Sequence, residues 1–367
     1  MTEPPYTPLI QALPHSSPFT SPETLERARG APFTARLGAN ESLFGPSPKA
    51  QACFADTAAE IFKYADSENH DLRHALAEFY AVQADNVVIG EGIDGLLGYT
   101  VRLFIAPGDR VVTSAGAYPT FNFHVAGYGG HIETVPYKND QQDLAALIAK
   151  AKQVDAKLIY FCNPDNPMGS WHDGEKIAAQ LDDIPEGCLL ILDEAYVELA
   201  PPGTSPSYDI SHPKVIRMRT FSKAYGMAGA RIGYALGNAA LIRNFEKVRN
   251  HFGINRASQA AALAALNDQG WLANVQDKTQ IARAEIARIG KANGLTALPS
   301  ATSFVTLDCH RDAAFAQAIV AGLADAGVFI RMPFVAPQNR CIRVSCGRPQ
   351  DLAHFENALP KVLAGLR

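Results

Sequence analysis

Lys223 stands in the run Thr220-Phe221-Ser222-Lys223-Ala224-Tyr225-Gly226-Met227-Ala228-Gly229-Ala230-Arg231. A hydroxyl adjoins the lysine, small and flexible residues follow, and an arginine comes eight positions later. An amine becomes a nucleophile or base once its pKa is depressed, and a guanidinium forks onto an anion. Upstream, Asp193 closes the apolar run Cys188 to Leu192 and opens Asp193-Glu194-Ala195-Tyr196. Further upstream lies Asn163-Pro164-Asp165-Asn166-Pro167-Met168-Gly169. A single lysine is most often a surface residue. The chemistry therefore rests on whether these three segments meet.

The elements that would bring them together are legible in the periodicity. From about 85 to 240, short β-rich runs alternate with helical patterns, which predicts a mostly parallel sheet with helices on both faces. Asn86 to Ile89 reads as a strand, after which Ile93, Leu96, Leu97, Val101 and Phe104 recur at helical spacing. Further strands are expected at 132–136, 157–162, 188–192, 215–219 and 231–236. In such a sheet, loops at the carboxyl ends of strands gather around one crevice. All three segments follow a strand. After about 250 the pattern changes to long helices (255–267, 271–293) and strands at 303–308, 328–331 and 341–345. We expect an N-terminal segment (1–45), a large domain (46–250) and a smaller α+β domain (251–367), the first packing with the last.

The chain has 367 residues, 47% of them hydrophobic, with a net charge of −4 and no basic runs. This excludes the electrostatic footprint of a nucleic-acid or anionic-membrane partner. No apolar stretch approaches the ~20 residues that span a bilayer, and the Pro-, Ser- and Thr-rich start lacks the apolar core of a secretory signal. The six cysteines show no Cys-x-x-Cys spacing and read as reduced, buried residues of a cytoplasmic protein.

The ordered set Asn-Pro-x-Asn-Pro-x-Gly, Asp-x-x-Tyr and Ser-Lys-x7-Arg resembles the class I/II aminotransferases of pyridoxal-phosphate fold type I, and within them the histidinol-phosphate aminotransferase group. The resemblance runs from Leu37-Gly38-Ala39-Asn40-Glu41 to Cys341-Ile342-Arg343-Val344-Ser345. It implies that Lys223 holds pyridoxal 5'-phosphate covalently and, once freed, moves the substrate proton. Asp193 would face the pyridine nitrogen and keep it protonated. Tyr196 and Asn166 would hydrogen-bond the ring oxygen, and Ser222 and Arg231 the phosphate. Phe121 takes the place of the aromatic stacked on the ring, with Tyr118 its neighbouring competitor. Tyr64 matches a tyrosine that reaches the partner subunit's cofactor, which implies a homodimer with shared active sites. Arg343 and Arg331 match contacts to the substrate's anionic end, with Asn40 beside them. The implied reaction passes an amino group from a small-molecule donor, histidinol phosphate, to a 2-oxo acid such as 2-oxoglutarate. An aromatic amino-acid donor, or decarboxylase or lyase chemistry on the same cofactor, are the alternatives.

Three further features bear on this reading. Gly90-Glu91-Gly92-Ile93-Asp94-Gly95 matches the dinucleotide fingerprint Gly-x-Gly-x-x-Gly. Phosphate at a helix N-terminus serves pyridoxal phosphate equally well, so the backbone of Gly92, Ile93 and Asp94 is assigned to it. His70 and His74 lie four apart but have no evident third ligand, so no metal is expected. Finally, Pro18-Phe19 stands where the resembled group has Pro-Tyr. The missing hydroxyl would remove about 1.5–3 kcal/mol of contact with a charged phosphate.

Overall fold

The computed structural model describes residues 4–15, 19–207 and 210–366. Pro18, part of the Pro-Phe pair above, lies outside them. Strand β1 (Ala35–Arg36) precedes seven strands of one large sheet: β2 (Val87–Gly90), β3 (Arg110–Ser114), β4 (His131–Val135), β5 (Leu158–Cys162), β6 (Leu189–Asp193), β7 (Val215–Thr220) and β8 (Gly233–Gly237). Every residue of β5 and β6 is buried. Their continuous apolar sequences, without alternation, are what a strand covered on both faces requires. One covering layer is the helix Gly92–Phe104, whose Leu96, Leu97 and Val101 pack with Phe121 and Tyr160. The other is built around the helix Leu144–Val154, where Leu147 and Ile148 meet Ile159, Phe161 and Leu190.

The strand order is β2-β8-β7-β6-β5-β3-β4. Strands β3 to β7 pair in parallel, while β8 runs antiparallel to both β7 and β2. Two antiparallel steps restore the direction of β2, so its carboxyl end opens on the same edge as those of β5, β6 and β7. That edge is the crevice expected of the alternating pattern.

The second sheet comprises β9 (Thr296–Ala297), β10 (Phe304–Asp308) and, beyond the two-residue β11 (Val328–Phe329), β12 (Cys341–Ser345), in the order β12-β10-β9. β1 lies parallel to β11 through Ala35↔Val328 and Arg36↔Phe329. Ala35 and Leu37 are thereby buried with Ile286, Val305, Ile342 and Phe355. The strand expected at 328–331 is shorter. Past Phe329 and Ile330 the chain makes only a bridge, Arg331↔Arg343, before Pro333 interrupts it.

The helix Arg256–Leu266 buries Ala261, Ala262 and Leu266 in one core with Leu72, Phe221 and Tyr234. The next helix, Gln269–Ala292, gives Leu272 and Val275 to that core and Ala282, Ile286 and Ile289 to the smaller one. The passage between cores therefore falls inside this long helix, downstream of the boundary expected at 250. A change of periodicity marks where helices begin, not which core they serve.

Candidate active site

The edge of the large sheet holds two adjoining cavities. The inner, about 120 Å³, is lined by Asp94, Tyr118, Asp193, Tyr196, Ser222 and Lys223, with Arg231 at its side. The outer, about 380 Å³, includes Asn40, Arg331 and Arg343. Tyr118, Asn166 and Lys223 line both. The three segments separated by some sixty positions therefore do meet, and Lys223 sits where the cavities join.

Each placement follows from a strand end. Asp193 is the last residue of β6, paired in register with Cys162 of β5. Its Oδ1 accepts the backbone N–H of Ala195 at 2.9 Å and its Oδ2 the hydroxyl of Tyr160 at 2.6 Å. Burial pushes its carboxyl up to about 6, against the pull of those two donors. Lys223 follows β7 and is pushed down to about 8, chiefly by burial and then by the Arg343 and Arg231 guanidiniums. Its Nζ donates to the Asn40 carbonyl at 3.3 Å.

Asn40, only 4% exposed, is held by Ser345: its N–H and Oδ1 each bond the Ser345 hydroxyl at 3.1 Å. Its Nδ2 donates to the Tyr196 hydroxyl at 3.1 Å. Asn40 thus ties the N-terminal segment and β12 to both Tyr196 and Lys223. The Tyr196 hydroxyl is pushed up by burial and stays protonated.

The phosphate end is built from glycine geometry. Gly92 opens its helix at φ +75°, and a Cβ there would lie 2.7 Å from Arg231 Nη2. Only glycine lets the guanidinium approach this helix N-terminus, where backbone N–H groups and the dipole favour an anion. Ile93 and Asp94 follow in the first turn. The buried Asp94 Oδ1 makes no hydrogen bond. Arg231 itself is left-handed (φ 52°), and its Nη1 and Nη2 donate to the carbonyls of Ala228 and Glu91. Ser222 is fixed by Thr220: its N–H donates to Thr220 Oγ1 and its Oγ accepts from the Thr220 hydroxyl, both at 3.0 Å.

In the outer cavity, Arg343 is pushed down to about 10, first by burial, with the neighbouring Arg331 adding to it. Its Nη1 donates to Asn166 Oδ1, while its buried Nε has no partner. Among the described residues no carboxylate forms an ion pair with either Arg331 or Arg343. A buried guanidinium, Arg343, beside a half-buried one, Arg331, with no ion pair to either among the described residues, forms a site for an anion.

Two expected placements change. Phe121 does not line the cavity. It is fully buried, its ring stacked on Tyr160 at 4.8 Å, because the helix Pro119–Gly127 turns it into the core. Tyr118, at the N-cap of that helix, lines both cavities instead. Asn166 bonds Arg343, which places it between the cofactor and substrate ends. Sequence reading also missed Tyr160 as a partner of Asp193. The signal was the strand period of two, which puts Tyr160 and Cys162 on one face. Tyr64, by contrast, stands 80% exposed and lines neither cavity, with its ring against Phe252 at 5.0 Å. His70 and His74 stack on each other at 4.0 Å.

The donor set fits pyridoxal phosphate: a buried carboxylate that forms no ion pair among the described residues, an amine with depressed pKa, and a glycine-cleared cup with arginine and serine at one end.

The chain was compared with known proteins. The model of the family aminotransferase class I and II matches residues 34–359. Histidinol-phosphate aminotransferase 2 of Pseudomonas fluorescens is 33% identical over 332 residues, covering 90% of this chain and 89% of its own. Histidinol-phosphate aminotransferase 1 of Nitrosococcus oceani is 32% identical, covering 98% and 96%. A crystal structure of histidinol-phosphate aminotransferase from Sinorhizobium meliloti in complex with pyridoxal-5'-phosphate is 50% identical, with a TM-score of 0.96 over 100% of this chain and 99% of that one.

Proposed function

From the premise that the chain belongs to the class I and II aminotransferases, we propose that it is a pyridoxal-phosphate transaminase whose amino donor is histidinol phosphate. The observation that carries the donor is the pair Arg331 and Arg343, two guanidiniums in one cavity with no carboxylate between them. A phosphate ester's dianion matches two such groups better than a single carboxylate does. Relatives named for histidinol phosphate support the same choice.

Bound here, pyridoxal phosphate supplies an electron sink for charge developing at the donor's Cα. With the cofactor bound, Lys223 would hold it through Nζ and, once freed by the donor, would serve as the base that takes up the proton at the donor's Cα. Its depressed pKa brings the neutral amine, the form a general base needs, closer to neutral pH than in an ordinary lysine. Asp193, backed by Tyr160, keeps a proton on the pyridine nitrogen. Tyr196, held by Asn40, presents its hydroxyl to the ring oxygen, and Tyr118 covers the ring face. Gly92, Ile93, Asp94, Ser222 and Arg231 hold the phosphate. Asn166 links the ring end to Arg343, which with Arg331 grips the donor's anion. The accepting 2-oxo acid, 2-oxoglutarate, presents a carboxylate to the same arginines.

The homodimer belongs to the same proposal. Tyr64 shares an exposed apolar face with Ile61, Phe62 and Phe252, a composition suited to burial against a second copy. A cytoplasmic location accords with six free cysteines, and no helix among the described residues is long and apolar enough to cross a membrane.

The test is a single-turnover absorbance experiment. Cofactor-loaded protein is mixed in turn with histidinol phosphate, phenylalanine and aspartate, with Lys223→Ala beside it. Loss of the visible cofactor band with histidinol phosphate, slowed roughly a hundredfold or more in Lys223→Ala, is expected. An unchanged band with histidinol phosphate and a rapid change with phenylalanine would move the donor to the aromatic amino acids.

A further inference from the structure

Arg331 is held in an unusual way for a half-buried cation. Burial pushes its pKa down, yet among the described residues it forms no ion pair. Its Nη2 donates to the Thr20 carbonyl at 2.7 Å. Its guanidinium lies over two aromatic rings, 5.6 Å from the Phe19 centroid and 5.2 Å from that of Phe329. The Phe329 side is rigid: it is 3% exposed, packed on Phe33 at 5.3 Å and part of β11. The Phe19 side comes from irregular chain in the N-terminal segment. Phe19 also stacks on Tyr118, centroids 5.8 Å apart and planes at 29°. One phenylalanine thus joins the arginine of the outer cavity to the aromatic residue that lines both cavities, and it lines the outer one itself.

We propose that Phe19 is a positioning residue for the donor's phosphate: with Phe329 it clamps the faces of Arg331 and leaves the guanidinium edge to the anion. The proposal rests on the reading of the outer cavity as the donor site. A guanidinium over two aromatic faces keeps its in-plane N–H donors available, because the rings occupy only its π faces. The Thr20 carbonyl takes one of those donors, so the backbone fixes the plane's rotation while the rings fix its tilt. Without Phe19 the side chain regains rotamers, and that freedom must be lost again when an anion binds. The effect falls on ground-state capture of the dianion, since Phe19 is not among the groups assigned to proton transfer.

The experiment compares Phe19→Ala and Phe19→Tyr with the unaltered, cofactor-loaded protein. KM and kcat are measured for histidinol phosphate and for histidinol, which lacks the phosphate. The dissociation constant of inorganic phosphate is measured by titration calorimetry. Phe19→Ala is expected to raise the histidinol phosphate KM and the phosphate dissociation constant together, by about fivefold to tenfold. Its kcat and its KM for histidinol should stay within about twofold, and Phe19→Tyr, which keeps the ring, should hold KM at or below the original value. Equal KM increases for both donors would mean a general packing role and overturn the proposal. So would an unchanged phosphate dissociation constant. If the unaltered protein does not turn over histidinol phosphate, the donor reading fails, while the calorimetric arm still decides whether Phe19 governs anion capture.

Discussion

At the scale of single residues, the site is a set of charges out of water whose protonation states are set by one another. Lys223 has a pKa of about 8 instead of that of an ordinary lysine, through burial first and Arg343 and Arg231 next. Below that value the amine is protonated and cannot attack a carbonyl; above it the neutral form dominates. Covalent cofactor uptake by cofactor-free protein should therefore rise with pH, reach half its plateau near pH 8, and fall about tenfold per unit well below it. Stopped-flow absorbance across pH 6–10 measures this. Arg343→Gln removes a cation from the lysine's surroundings, so its midpoint should move to higher pH. An unchanged midpoint would assign the depression to burial and Arg231 without Arg343. Asp193 shifts the other way: burial has raised its carboxyl to about 6, and a cationic ring nitrogen beside it would restore the ionised form.

At the scale of elements, loops at strand ends place these groups, and two glycines make the loops possible. Gly92 clears the approach of Arg231 to the helix it opens. Gly226, three residues after Lys223, has φ +71°, and a Cβ on it would sit 2.5 Å from the Gly45 carbonyl. Gly226→Ala combines left-handed strain with a backbone collision, and we expect it to lower stability by about 1–3 kcal/mol. Thermal unfolding of cofactor-free protein would show this as a lowered Tm. Because the same loop carries Lys223, cofactor affinity should weaken as well. A variant with unaltered Tm and affinity would mean that the Gly45–Gly226 contact is not maintained in solution.

At the scale of the whole molecule, two facts bear on assembly. The N-terminal segment pairs with β11 through β1, shares the core of the smaller sheet through Ala35 and Leu37, and reaches the site through Asn40, so both ends of the chain contribute to it. Tyr64 is exposed and lines neither cavity, so the proposed homodimer would have it serve a cofactor across the subunit boundary. Mixing Lys223→Ala with Tyr64→Ala chains, each poorly active alone, should then restore activity. After random reassociation about a quarter of the sites would carry both natural residues. Activity no greater than the sum of the separate variants would place Tyr64 outside any shared site.

The sequence by itself determined the sheet's composition and the residues that carry chemistry. Buried parallel strands demand continuous apolar runs such as Leu158–Cys162 and Leu189–Asp193, and the loop after each such run can be read directly. Asp193 and Tyr196 were legible for that reason, whereas Ser222, Lys223 and Arg231 follow β7, whose sequence carries Arg217 and Arg219, and were read from the spacing Ser-Lys-x7-Arg. Tertiary structure decided what depends on which way a side chain turns and on what lies across from it. Phe121 and Tyr118 differ by three positions, and only the direction of the helix Pro119–Gly127 sends one into the core and the other to the cavity wall. Tyr160 looked like any core aromatic until β5 and β6 were set in register and its hydroxyl met Asp193. Arg331 and Phe19 are 312 positions apart, and their contact exists because β1 pairs with β11 and brings the N-terminal segment to that strand's end. Periodicity is a local property of the chain, whereas register and helix orientation are fixed by burial across the whole molecule.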